Sequence, residues 1–351
     1  MRLGIIGLPQ SGKTTLFNAV SGLEETVGDY SQAVHRAVIK VPDERLDNLA
    51  GLFEPEKVTH AEIEFLDAAA FTGKGKRAGE EPDIMHDLRT MDAVVIVIDD
   101  FSVNAKPEHD LRNLIDEMIL ADLVLVESNL TKLERSIKLT GKKERAGELE
   151  VLKKCHEALN NERSLSVLDL TEDEKREIRG YSFLTLKPQL IVFNVAEDKL
   201  PQRDGIYESY KKYCIEGFRD ISVICGKIEM ELAALEEDER GEFLRELNID
   251  RLAVDKFIQK SYGLLGLISF FTVLGPECRA WTIKEGTTAH KAAGVVHTDF
   301  ERGFIKAEVA AYDDYMEHKT VPALKAAARL HVEGKGYVVR DGDVILFRFN
   351  V

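Results

Sequence analysis

Eight residues, Gly7-Leu8-Pro9-Gln10-Ser11-Gly12-Lys13-Thr14, constrain this chain more than any other stretch. They fit G-x-x-x-x-G-K-[ST], directly after the aliphatic run at 3–6 and directly before the helix-compatible Thr15-Leu16-Phe17-Asn18-Ala19-Val20. The glycines let successive backbone N–H groups turn toward one point, and the following helix adds its positive end. A polyphosphate suits such a cradle. The motif places Gly7, Pro9, Gln10, Ser11, Gly12, Lys13, Thr14 and Thr15 around the phosphates. Lys13 would reach the β and γ phosphates and the Thr14 hydroxyl would bind Mg2+.

The rest of the chain agrees with an α/β sheet buried on both faces. Short aliphatic runs recur at 3–6, 38–41, 62–66, 93–98 and 189–193, each followed by turn residues and then helix-like sequence. Strand character returns at 221–224. After about Leu120 the pattern changes: Leu123, Leu130, Leu133 and Ile137, then Leu149, Leu152, His156 and Leu159, recur at three- and four-residue spacing among Lys and Glu. This predicts two long helices in an inserted hairpin, with coiled-coil character. Its tip carries Lys138, Lys142, Lys143 and Arg145, which reads either as an ordinary solvated turn or as a contact to RNA phosphates.

Charge separates a last segment. From Gly263 onward there are 11 acidic and 11 basic residues, so the net charge of −15 belongs to the first 262. Bulk acidity argues against coating nucleic acid by charge alone, and leaves a local basic patch open. The expected domains are therefore 1–119 with 186–262 for the nucleotide sheet, 120–185 for the hairpin and 263–351 for the C-terminal domain. Around Asp341-Gly342, the stretch 334–347 reads as two strands joined by a turn. Cys155, Cys214, Cys225 and Cys278 show no C-x-x-C spacing, as expected of reduced thiols in the cytoplasm. No apolar run approaches the roughly 18 residues of a membrane-spanning helix.

Two further places bear on the site. Asp67 ends the run Ile63-Glu64-Phe65-Leu66 and reads either as an outer Mg2+ contact through water or as a plain turn or helix cap. Asn194-Val195-Ala196-Glu197 follows another buried run, where GTP-binding proteins of this type carry N-K-x-D. With Val195 and Glu197 in place of the Lys and Asp, the guanine-specific acceptor geometry is lost and ATP is less penalised. A GTP-preferring regulator and a binding protein without hydrolysis stay open as alternatives, as does a helix-capping role for Asn194.

Taken with the hairpin and the stretches 41–47, 227–232, 279–283, 292–309, 312–314, 341–344 and 347–351, these motifs resemble the Obg-like ATPase (YchF) family of P-loop proteins over nearly the full length. The resemblance implies an α/β P-loop NTPase sheet with an inserted helical hairpin and a β-grasp-like TGS domain at the C-terminus. It further implies a slow ATPase, also able to use GTP, that associates with ribosomes and regulates translation or a stress response. It places the base near Asn194 and Glu197 and beside Cys225-Gly226-Lys227, whose small residues are expected to leave backbone N–H groups free for it. Ser31 aligns with the family's switch threonine and is a candidate Mg2+ ligand. The family's D-x-x-G reads Asp67-Ala68-Ala69-Ala70, and Ala70 carries a Cβ where glycine lets the backbone rotate. Phe71 stands where related enzymes place a water-orienting Gln, and the basic Gly73–Gly79 stretch follows. A family histidine aligns with Asp87, which makes the adjacent His86 a candidate catalytic residue beside Lys13.

Overall fold

A computed structural model describes residues 1–22, 35–67, 83–140, 145–235, 239–240, 242–243, 252–273 and 275–350. Two compact units result: Met1–Ala37 with Glu64–Val254, and Val38–Ile63 with Asp255–Val351.

The expected parallel sheet builds the first unit. Its strands are β1 (Arg2–Gly7), β2 (His35–Lys40), β4 (Glu62–Asp67), β5 (Ala93–Asp100), β6 (Gln189–Val195) and β7 (Arg219–Ile224), in spatial order β2-β4-β1-β5-β6-β7. The pairs β1–β4, β1–β5, β5–β6 and β6–β7 are all parallel. Strand β6 is buried at every position, and β5 is buried throughout except at Asp99. That is why their sequences are continuous apolar runs rather than alternating ones. Helix α1 (Lys13–Ser21) follows β1 and helix α3 (Asp83–Arg89) precedes β5.

Between the neighbouring strands β5 and β6 the chain inserts helix α4 (Pro107–Thr140) and helix α5 (Ala146–Asn160). At 34 residues α4 runs about 50 Å, and the expected boundary at 119/120 falls inside it. The physical reason is that one helix serves two cores. Leu111, Leu114 and Met118 pack with Ile96, Ile191 and Phe193 of the sheet. Ile119, Val126 and Leu133 pack with Val151, Leu152, Cys155 and Leu159 of α5. Cys155, not His156, completes the α5 stripe; His156 points to Glu127 at 3.5 Å.

A fully buried carboxylate holds this junction. Asp122 of α4 accepts from Arg89 of α3 (2.8 Å), from the Leu184 and Thr185 amides (3.0 and 2.8 Å) and from the Thr185 hydroxyl (2.7 Å). Four donors around one carboxylate offset the desolvation of its charge.

The second unit holds a mixed sheet of β3 (Lys57–Thr59), β8 (Leu267–Thr272), β9 (Glu277–Lys284), β10 (Phe304–Ala311), β11 (His331–Glu333) and β12 (Asp343–Phe349), ordered β11-β10-β12-β8-β9-β3. Strand β3 pairs in parallel with β9, so β3 and the residues just before it belong with this unit although they lie inside the expected 1–119 segment. Helix α2 (Glu44–Phe53) comes with them, and its Arg45 binds Asp341 at 2.7 Å and lies 5.3 Å from the Phe271 ring. The two-strand hairpin expected around Asp341-Gly342 does not form. Only β12 is a strand there, because residues 337–339 bond instead to the 287–289 loop through Ala289 N to Tyr337 O (2.7 Å) and Val339 N to Thr287 O (3.0 Å). Strand β12 pairs antiparallel with β10 and parallel with β8. Among the described residues no helix is long and apolar enough to cross a membrane.

Replacing Asp122 by Ala removes the carboxylate partner of Arg89 and leaves two buried amides without their acceptor. Urea denaturation should show a loss of about 3–5 kcal/mol, and a loss below about 1 kcal/mol would exclude Asp122 as the anchor of the hairpin.

Candidate functional site

The site lies at the carboxyl ends of β1, β5, β6 and β7, where ligands sit in open parallel sheets. Strand β1 ends at Gly7, where a Cβ would come within 2.4 Å of the Val97 carbonyl and 2.6 Å of the Ser11 hydroxyl. The chain then turns through Leu8-Pro9-Gln10-Ser11, closed by Ser11 N to Leu8 O at 3.2 Å. Gly12 takes φ 90° at the start of α1 and leaves that helix without a side-chain cap. Its first-turn amides therefore face the loop as an anion cradle.

Lys13 is 7% exposed and folds back to donate to the carbonyls of Gly7 (3.1 Å) and Leu8 (2.9 Å). Burial pushes its ammonium below the usual lysine range, and the charge of Asp67 opposes that shift. The Thr14 hydroxyl donates to Asp67 Oδ2 at 3.2 Å. The structure thus brings the loop lysine, its hydroxyl neighbour and the carboxylate at the end of β4 to one point. Hydroxyl and carboxylate oxygens are the donors a hard divalent cation takes. Among the described residues buried Ser11 Oγ has no hydrogen-bond partner.

Asn194, at the end of β6, does more than stand near a base. Its Nδ2 donates to Ser11 O (3.1 Å), and its Oδ1 accepts from Gly226 N (3.0 Å). One buried carboxamide ties the phosphate loop to the loop after β7. The expectation that small residues at 225–227 leave their N–H groups to the base is corrected at Gly226, whose amide is taken by Asn194. Gly12 and Gly226 are small for the same reason: a Cβ would lie 2.1 Å from Asn194 Nδ2 in the first case and 3.3 Å from Asn194 Oδ1 in the second.

Beside this brace opens a cavity of about 1100 Å3, lined by Gly12, Thr15, Phe101, Asn194, Glu197 and Lys227 among others. Glu197 and Lys227 are both exposed and face each other at 3.5 Å. Cys225 caps helix α8 (Gly226–Ala233), and its thiol is pushed up by burial. The wall after β6 is held by Lys199, which donates to the Asp100 carbonyl (2.7 Å) and carboxylate (2.8 Å). Tyr210 donates to the same carboxylate at 3.2 Å while stacking on Phe193.

Phe101, Leu200, Arg203 and the Lys199–Asp100 pair were not found by motif reading. The usable signal for Phe101 and Asp100 was position alone, since they stand at the carboxyl end of a buried parallel strand. His86 is exposed on α3, and its neighbour Asp87 lines a separate small cavity with Arg2 and Thr90. Arg145 is committed to Glu148 at 2.5 and 2.7 Å, and Tyr181 donates to the same carboxylate, while Lys138 is exposed. Ser31, Ala70, Phe71, Gly73–Gly79, Lys142 and Lys143 lie outside the described residues.

Comparison with known proteins gives these features a lineage. Residues 2–129 match a family described as 50S ribosome-binding GTPase, and residues 267–350 match the family of YchF GTPase C-terminal domains. The chain is 38% identical to the protein named "Ribosome-binding ATPase YchF" of Bacillus subtilis, covering 99% of each. It is 39% identical to the Pasteurella multocida protein of the same name, over 100% of this chain and 99% of that one. A solved structure of the Schizosaccharomyces pombe YchF GTPase aligns with a TM-score of 0.84 at 26% identity, covering 99% of this chain and 97% of that one. With relatives this similar along their whole length, and with the phosphate loop and sheet built as described, the chain belongs to the YchF family.

Proposed function

We propose that this protein is a Mg2+-dependent ATPase that acts on the ribosome in the cytoplasm and prefers ATP to GTP. The observation that carries the reading is the meeting of Lys13, Thr14 and Asp67 beneath an uncapped helix start, beside a cavity large enough for a nucleoside. The names of the full-length bacterial relatives support both the hydrolysis and the ribosome.

Lys13 and the first-turn amides of α1 hold phosphate charge. Thr14 binds Mg2+ directly and Asp67 holds it through water, with Ser31 as a further ligand. When bound, the ion neutralises charge on the phosphate oxygens. The Asn194 brace fixes the distance between the phosphate loop and the base cavity. Glu197 accepts from the adenine N6 amino group, with Lys227 3.5 Å from that carboxylate at the cavity wall. The exposed Lys138, with Lys142 and Lys143, supplies cations for ribosomal RNA; Arg145 contributes less, because Glu148 already neutralises it.

Fluorescent ATP and GTP analogues, each competed by unlabelled nucleotide, test the reading. Lys13→Ala should weaken both on the order of 100-fold, and equal affinity in the variant would remove the phosphate-loop assignment. Asn194→Ala leaves the Gly226 amide unpaired and should weaken ATP and GTP alike, roughly 10- to 100-fold. Glu197→Ala, by contrast, should narrow the ATP preference; an unchanged ratio would show that the base is read elsewhere. At low salt, reversing the charge of Lys142 and Lys143 together should reduce co-sedimentation with ribosomes. Unreduced binding would dismiss the hairpin tip as the contact.

A further inference from the structure

The carboxylate that reads the base has little of its own to hold it in place. Glu197 and Lys227 are both exposed, and an ion pair between exposed groups is weak and screened by salt. The point from which the Glu197 side chain reaches the cavity is therefore set by its backbone. That backbone is the 3-10 segment Glu197–Gln202, which contains Pro201. Helices of this kind have poorer hydrogen-bond geometry than α-helices, so an anchor outside the segment decides where it lies.

The anchor is the last residue of β5. Lys199 reaches to it from the 3-10 segment and donates to both the carbonyl (2.7 Å) and the carboxylate (2.8 Å) of Asp100. The helix at Arg203–Tyr210 follows directly, and its last residue, Tyr210, donates to the other oxygen of that carboxylate at 3.2 Å. Both ends of the stretch 199–210 are thus tied to one buried side chain, while Leu200, Pro201, Arg203 and Asp204 between them line the cavity. A second part of the wall refers to the same strand end. Asp99 accepts from the amides of Phe101 and Ser102, each at 3.0 Å, and Phe101 lines the cavity as well. Asp100, Lys199 and Tyr210 are not among the lining residues, so they act on a bound base from behind the wall.

We propose that Lys199, held by Asp100, is a positioning residue for base selection. Its two bonds fix the 3-10 segment against β5, and with it the place from which Glu197 meets the base. Adenine presents a donor there, its N6 amino group, where guanine presents the O6 acceptor. A carboxylate held at that place gains from adenine and is opposed by guanine. A carboxylate free to swing loses the first gain and finds the N1–H and amino donors that guanine carries elsewhere, so discrimination falls from both sides. An ion pair of this kind adds little stability that apolar packing would not, and its use here is placement. The inference rests on the ATP-preferring reading and names what holds the acceptor of that reading in position.

Equilibrium Kd values for Mg-ATP, Mg-GTP and Mg-tripolyphosphate on the full chain test it, since tripolyphosphate reports the phosphate loop without a base. Lys199→Met keeps the packing of the side-chain stem and removes both bonds. It should shrink the ratio of GTP to ATP Kd about 5-fold, with the tripolyphosphate Kd changed less than about twofold. Lys199→Gln, polar but too short to reach Asp100, should behave in the same way. Lys199→Arg keeps a charged donor and should restore most of the ratio. In a Glu197→Ala background, Lys199→Met should change the ratio no further, because Lys199 acts through Glu197. An unchanged ratio in Lys199→Met overturns the proposal, as does an equal loss for all three ligands or a loss additive with that of Glu197→Ala. A ratio lost in Glu197→Ala and kept in Lys199→Met overturns this proposal alone. Absence of an ATP preference in wild type overturns the underlying reading, and the positioning role with it.

Discussion

The side chain of Asn194 is the constraint on which the site depends. Three strand ends meet around it, and a single buried carboxamide satisfies a carbonyl of one loop and an amide of another. Two consequences run outward from those bonds. Gly12 must lack a Cβ because the carboxamide occupies the space, and at Gly226 a Cβ would crowd the same group. The base cavity and the phosphate cradle keep a fixed separation, because the residue that walls one also braces the other. A glycine pattern commonly explained by phosphate approach alone is here also the imprint of a side chain some 180 residues away in sequence.

Where the sequence was informative, the reason was local. The buried runs at 93–98 and 189–193 became β5 and β6 because a parallel strand covered on both faces is apolar along most of its length, while β4 still shows at 62–66 through its buried Ile63, Phe65 and Leu66. The phosphate loop was legible because its spacing is dictated by backbone geometry. Long-range pairing was not. Lys57-Val58-Thr59 has no strand pattern of its own and is recruited by the edge of β9 more than 200 residues later. Nothing in the alternation of 334–347 announces that its first half bonds to the 287–289 loop. Asp122 stands in the apolar run 119–126 and Lys199 in a charged loop, and only the fold reveals the donors and acceptors around them.

Helix α4 joins chemistry to architecture. Its first three turns complete the core of the sheet, and the rest carries the hairpin, so the insertion cannot shift as a loose appendage. The Arg89–Asp122 contact adds a second tie, from the helix that precedes β5 to the same junction. Strand β5 ends at Asp100, just before Phe101 of the cavity wall, and it shares one packed core with the first turns of the helix that runs out to the basic tip.

An acidic chain that binds a polyanion must do so with local fields, and Lys13 shows how. Burial disfavours its ammonium, while two carbonyls and the charge of Asp67 keep the head oriented inside the loop. An arriving phosphate offers full negative charge where the carbonyls offer dipoles, so the ammonium gains more from the ligand than it gives up by leaving Gly7 and Leu8. A bound phosphate therefore favours the charged form of Lys13 more than the free loop does.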